Sequence, residues 1–191
     1  MVPKIKFTRE QVIEAAFGIA RKEGINGITM RKIAKKMGSS VAPIYVNFKN
    51  VDELNEALIE KIICISRQIL MEENTGNPFS DMGYASLRFA MEYSVLFKDL
   101  ITKNGKYIQG YDEKMIPVLI EEMQKDSKLK GFTVDELKII LLKMRIFQLG
   151  LSIMAANRLL PKEFKKQDVM DIFSNTADDV IMSAKLRKGI L

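Results

Sequence analysis

Apolar residues recur every three or four positions along almost the whole chain, and strict alternation of polar and apolar residues is sustained nowhere. That period belongs to helices and not to half-buried strands. It predicts an all-α protein of about nine helices. Local chemistry marks their ends. Thr8 and Gln11 have capping-box spacing, in which a hydroxyl and a side-chain amide satisfy the first free backbone groups of a helix. Val12, Ala16, Ile19 and Ala20 follow, and Gly24 closes the run. After a short turn over 25–28, Thr29 is a cap for a second helix over 30–37, which Gly38 stops. Ser40 is placed to cap a third, short helix from 41 to about 47, with Pro43 in its first turn, where a missing amide is harmless. Asn50, then Asp52 and Glu53, open a long helix to about 71. Beyond a break at 74–78, helical spans are expected at about 79–96, 98–108 and 112–126, the last interrupted near its start by Pro117. Thr133 with Glu136 makes another capping box for an apolar helix to 157, and a final helix runs over about 166–187.

Charge changes this picture, because it is not shared evenly. Residues 1–50 hold ten Lys/Arg and three acids, a net +7, while the remaining 141 residues carry −1. A basic module on a neutral body suggests a polyanion partner for the module alone. The plainer reading is a solvated face that only aids solubility. The expected division is a domain at 1–50 and a second at 51–191.

Composition removes several chemistries. The chain has no histidine and one cysteine, Cys64. It lacks the commonest acid–base catalyst and zinc ligand, and has no partner for a disulfide within the chain. Cys64 lies in the apolar run Ile62–Ile65 and is expected to be inert packing. Glu121 with Glu122, and Asp178 with Asp179, are neighbours that split across helix faces, so neither is a two-carboxylate site. No glycine-rich phosphate loop occurs. These features argue against an enzyme, and no metal or cofactor is expected. With no signal-like N-terminus and no 18-residue apolar run, a cytoplasmic location is expected.

The three N-terminal helices have helix-turn-helix proportions. Ile28, Met30, Ile33, Ala34 and Met37 are expected to pack under Val41, Ile44 and Phe48, leaving Arg31, Lys32, Lys35 and Lys36 outside. The string from Ile28 to Asn50, ITMRKIAKKMGSSVAPIYVNFKN, followed by Asp52-Glu53-Leu54, resembles the DNA-binding signature of the TetR family of bacterial regulators across residues 8–54. The resemblance implies that the helix over 41–47 lies in the major groove. Thr29 then offers a hydroxyl and helix N-terminal amides to a phosphate, and Tyr45 and Lys49 contact the backbone. Ser39, Ser40, Ala42 and Pro43 touch bases or the adjacent sugar–phosphate, with the apolar pair on thymine methyl groups. Lys4, Lys6 and Arg9 would form a basic arm. Asn47 stands where the family often has His and keeps a donor for phosphate. Val51 stands where the family usually has Lys and cannot carry that contact. With no Arg or Gln on the recognition helix, discrimination is expected to lean on Arg31, the arm or DNA shape.

The rest of the chain resembles the family's ligand-binding and dimerising domain in outline, most visibly over Tyr84–Phe97. Leu142, Ile146, Leu149 and Ile153, with Val169, Ile172, Phe173, Thr176 and Val180, form two apolar stripes that fit a four-helix interface between two copies. Phe89, Tyr93, Phe97, Tyr107, Tyr111, Met115, Met144, Phe147 and Gln148 are the candidate lining of a pocket for a small, largely apolar effector, with ordinary core packing as the alternative for each. The function implied is a dimeric regulator, a repressor in most of the family, that binds a palindromic double-stranded DNA operator and is released by a small molecule. The competing reading is a helical ligand-binding module whose basic head meets another polyanion or a membrane surface.

Overall fold

The computed structural model describes residues 7–102, 106–156 and 159–190. Among them are nine α-helices and no strand: α1 (Arg9–Glu23), α2 (Met30–Lys36), α3 (Ala42–Tyr45), α4 (Val51–Glu72), α5 (Pro78–Glu92), α6 (Ser94–Thr102), α7 (Lys106–Lys125), α8 (Val134–Ala156) and α9 (Lys166–Lys188). Short 3₁₀ turns at Ile25–Gly27 and Ser127–Leu129 precede α2 and α8. No helix among the described residues is long and apolar enough to cross a membrane.

The caps read from spacing form as hydrogen bonds. The Gln11 amide donates to Thr8 Oγ1 at 3.2 Å while Thr8 N donates to Gln11 Oε1 at 2.9 Å. The Lys32 amide donates to Thr29 Oγ1 at 3.2 Å, and Glu53 N to Asn50 Oδ1 at 2.8 Å. Thr133 N donates to Glu136 Oε2 at 2.7 Å, and Glu136 N returns to Thr133 Oγ1 at 3.3 Å.

Several boundaries differ from the expectation. α3 is four residues long, not seven, and no side chain caps it; the Ser39 hydroxyl donates to Ser40 O at 2.9 Å and Ser40 caps nothing. The break between α5 and α6 falls at Tyr93, several residues early, and is slight: Tyr93 N still reaches Phe89 O, and Phe97 N reaches Tyr93 O. α7 begins before Gly110 and runs through Pro117, which lacks an amide to donate to the carbonyl four residues earlier; the helix continues past it to Lys125.

The chain forms two compact units, Met1–Arg67 with Phe89–Glu113, and Gln68–Arg88 with Lys114–Leu191. The first unit extends past residue 50, where the basic charge ends. Charge marks a surface, whereas a shared core marks a unit. Val12, Ala16 and Ala20 of α1, Ile33 of α2, Ile44, Phe48, and Leu54, Leu58 and Ile62 of α4 are all fully or almost fully buried here. On α4 these buried positions recur every four residues, and Cys64 lies off their face. It is exposed, which corrects its assignment to packing. Later in the chain α6 joins this unit by packing on α1. Asp99 of α6 is buried and accepts the Ile25 amide at 2.7 Å.

The second unit is built on Phe79, Met82, Leu87, Met123, Leu137, Ile140, Leu141, Met144, Leu151, Phe173, Ala177 and Ile181. α8 packs along α9. Phe173 of α9 turns into this core, 6.4 Å from the Tyr84 ring and 6.2 Å from Phe147. Its ring presses on Gly83 of α5, where any Cβ would collide with it. Phe173 therefore belongs to the chain's own interior, which corrects its placement on a surface stripe.

Candidate nucleic-acid interface

α2 and α3 are joined by a tight turn. Gly38 takes φ +64, a left-handed conformation that glycine adopts without steric penalty. Open space surrounds the place a Cβ would occupy, so the backbone angle alone calls for glycine. Ser39 N closes the turn on Ala34 O at 2.9 Å. The inner faces follow the apolar spacing. Ile28, Met30, Ile33, Ala34, Ile44 and Phe48 are buried, with Met37 and Val41 partly covered. Burial of each large side chain contributes about 1.5–3 kcal/mol to the core of this head, which seats α2 and α3.

What α3 turns outward is small and largely apolar. Ser40 and Ala42 are exposed and Pro43 half-buried. Tyr45 is 52% exposed and Val46 85% exposed. Thr29, Arg31 and Lys49 are exposed, and Ser39 is half-buried. Among the described residues nothing pairs with Arg31 or Lys35. Lys32 is engaged by Glu23 at 2.5 Å. Lys36 folds back over Gly18 of α1. The net positive edge of this head is therefore carried by fewer side chains than the lysine count suggests.

Two expected DNA contacts are occupied within the fold. The Asn47 amide nitrogen donates to Phe7 O at 3.0 Å and to Pro43 O at 3.3 Å, both main-chain carbonyls, so its donors point into the head and not towards a phosphate. Arg9 is no part of an outward arm: its Nη1 donates to Asn47 O at 2.8 Å and to Glu53 Oε1 at 3.1 Å, and its guanidinium lies 4.0 Å from the Phe48 ring centroid. The Lys49 amide, and after it Arg9, hold the Glu53 carboxyl below the usual carboxylate range. Lys4 and Lys6 lie outside the described residues. Val46, absent from the expected contacts, is the apolar side chain that the head presents most fully; its position in the turn after Tyr45 was the available signal.

The pocket candidates divide between the two units. In the first, Phe89 is buried and stacks on Tyr93 with centroids 5.2 Å apart, and Tyr93 also faces Phe17 at 6.0 Å. Phe97 and Tyr111 are half-buried, and the Tyr107 side chain lies outside the described residues. In the second, Met115, Met144 and Gln148 are buried and Phe147 lies against Phe173. Of the stripe on α8, Leu142 is 51% and Ile146 64% exposed, Ile139 and Ile153 are also exposed, and Leu149 is half-buried. On α9, Val169, Ile172, Thr176 and Val180 are half-buried. Buried residues on α8 (Leu137, Ile140, Leu141, Met144, Leu151) face the opposite way, so this helix is apolar on two sides.

Comparison with known proteins agrees with this geometry. Residues 12–58 match the family described as bacterial regulatory proteins, tetR family. The chain is 24% identical over 125 residues to an uncharacterised helix-turn-helix-type transcriptional regulator of Bacillus subtilis (strain 168), covering 59% of this chain and 66% of that protein. It is 38% identical over 58 residues to the class D tetracycline repressor protein of Escherichia coli, covering 30% of this chain and 27% of that protein. The matched stretches thus span less than two thirds of these relatives' own lengths. A transcriptional regulator of the TetR type from Streptomyces coelicolor has the same fold, with TM-score 0.67 at 14% identity, covering 94% of this chain and 98% of that one.

Proposed function

We propose that this chain, whose residues 12–58 match the tetR family of bacterial regulatory proteins, is a dimeric, sequence-specific DNA-binding repressor of that family, without enzymatic activity, that a small apolar molecule releases from a palindromic operator in the cytoplasm. The observation that carries the DNA reading is the outward face of α3. Ser40, Ala42, Tyr45 and Val46 stand exposed beside Arg31 and Lys49, while Ile44 and Phe48 anchor the same short helix from beneath. Such a face suits a major groove: a hydroxyl and a phenol for the sugar–phosphate edges, methyl groups for thymine, and cations for phosphates. Thr29, Arg31, Ser39, Ser40, Ala42, Pro43, Tyr45, Val46 and Lys49 are the proposed contacts.

The dimer rests on α8. Exposed Ile139, Leu142, Ile146 and Ile153 lie at intervals of three, four and seven along one face. A second copy would cover them, and two recognition helices would double the contacts of one weakly reading segment. The effector acts by preferring a dimer shape in which the two helices no longer match successive grooves. The test is selection of bound duplexes from a random pool. Enrichment of an inverted repeat supports the reading. An unenriched pool, with equal affinity for anionic vesicles, refutes it in favour of a general polyanion-binding head.

A further inference from the structure

We propose that Arg9 and Glu53 are positioning residues for DNA recognition. Together they fasten the chain immediately after the recognition helix to the first turns of α1 and α4, so that the pose of α3 follows that of α4. The inference rests on the DNA-binding reading above. α3 has only four residues, too few for its own hydrogen bonds to fix its direction. Ile44 anchors it from beneath, and beyond Val46 the chain runs through Asn47, Phe48 and Lys49, each of which meets this pair. Arg9 Nη1 donates to Asn47 O at 2.8 Å. The Arg9 guanidinium covers the Phe48 ring at 4.0 Å. The Lys49 amide donates to Glu53 Oε2 at 2.9 Å. The other carboxylate oxygen of Glu53 accepts from Arg9 at 3.1 Å, which closes the ring of contacts. Asn50 Oδ1 accepts the Glu53 amide at 2.8 Å and seats Glu53 in the first turn of α4.

The charges make this assignment testable by sign. Glu53 is an acid in a basic head. If it acted on DNA only through its charge, it would repel phosphates, and its removal would tighten binding. If Arg9 met a phosphate, its removal would lower the counterion release. A clamp predicts neither.

The experiment measures dissociation constants of the full chain for an enriched duplex and a scrambled one across a salt series, with wild type, Arg9→Gln, Glu53→Gln and the double variant. Both single variants are expected to lose about tenfold in affinity for the enriched duplex. They should lose less for the scrambled one, keep an unchanged salt slope, and gain no further loss on combination. Glu53→Asp keeps the charge, shortens the reach by one methylene and disturbs folding least; it should also weaken specific binding. Equal or tighter binding by Glu53→Gln, wild-type affinity in Glu53→Asp, or a salt slope lowered by about 0.9 in Arg9→Gln overturns the clamp alone. A wild-type chain that does not distinguish the two duplexes overturns the DNA-binding reading itself.

Discussion

Replacing Ile146 by aspartate tests the proposed interface on α8 with a magnitude that follows from its exposure. Ile146 leaves 64% of its surface open, while Leu137, Ile140, Leu141 and Met144 fill the opposite face. Covering that fraction of an isoleucine is worth about 1–2 kcal/mol. A two-fold interface contains the residue twice, so the lost burial alone is about 2–4 kcal/mol. Two carboxylates brought into an apolar seam without partners add a penalty of several kcal/mol more. The dimer should therefore weaken by at least about a hundredfold. Sedimentation velocity reads this directly: wild type as a dimer, Ile146→Asp as a monomer at the same micromolar concentration. Because the side chain contributes nothing to the protomer's core, far-UV circular dichroism should not change. A variant that stays dimeric, or one that loses helicity together with dimerisation, refutes the reasoning.

Other perturbations give distinct outcomes. Tyr45→Ala should weaken binding to all duplexes by a similar factor in gel shifts at fixed salt, as expected for a backbone contact. Replacing thymine by deoxyuridine under the recognition helix should weaken wild type more than Val46→Ala, whose lost methyl groups leave less to miss. Gly83→Ala should destabilise the second unit by about 1–3 kcal/mol in denaturant unfolding, since its Cβ collides with the Phe173 ring. Glu136 is held at about 2 by Lys188, and then by the Thr133 amide, against an ordinary 4.5. Its folded pKa is depressed, so its contribution is complete above about 4.5 and disappears as pH falls towards 2. Glu136→Gln should flatten the stability profile in that window.

Much of the fold was legible because its signals are local. Thr8–Gln11, Thr29 and Thr133–Glu136 cap their helices through bonds spanning three residues. Ile33, Ile44 and Phe48 are buried as their spacing demands. What sequence reading missed depends on distant partners. Arg9 looks like part of a basic arm until Asn47 and Glu53, about forty residues away, are brought to it. Asp99 carries no local signal of burial, yet it lies buried where the Ile25 amide, 74 residues earlier, donates to it. Phe173 shares the spacing of a surface stripe with Val169 and Thr176, but it lies at the stripe's edge, and the gap at Gly83 draws it inward. The exposure of Cys64 was readable, since Leu54, Leu58 and Ile62 define the buried face of α4 and Cys64 falls off it.

A photo-cross-linking amino acid placed at Val46, with its adducts mapped on the enriched duplex, reports directly whether the outward face of α3 enters the groove. Adducts are expected at two positions in the major groove, related by the symmetry of the inverted repeat and about one helical turn or a multiple of it apart. Adducts scattered without sequence preference, or confined to one unsymmetrical position, would contradict that expectation.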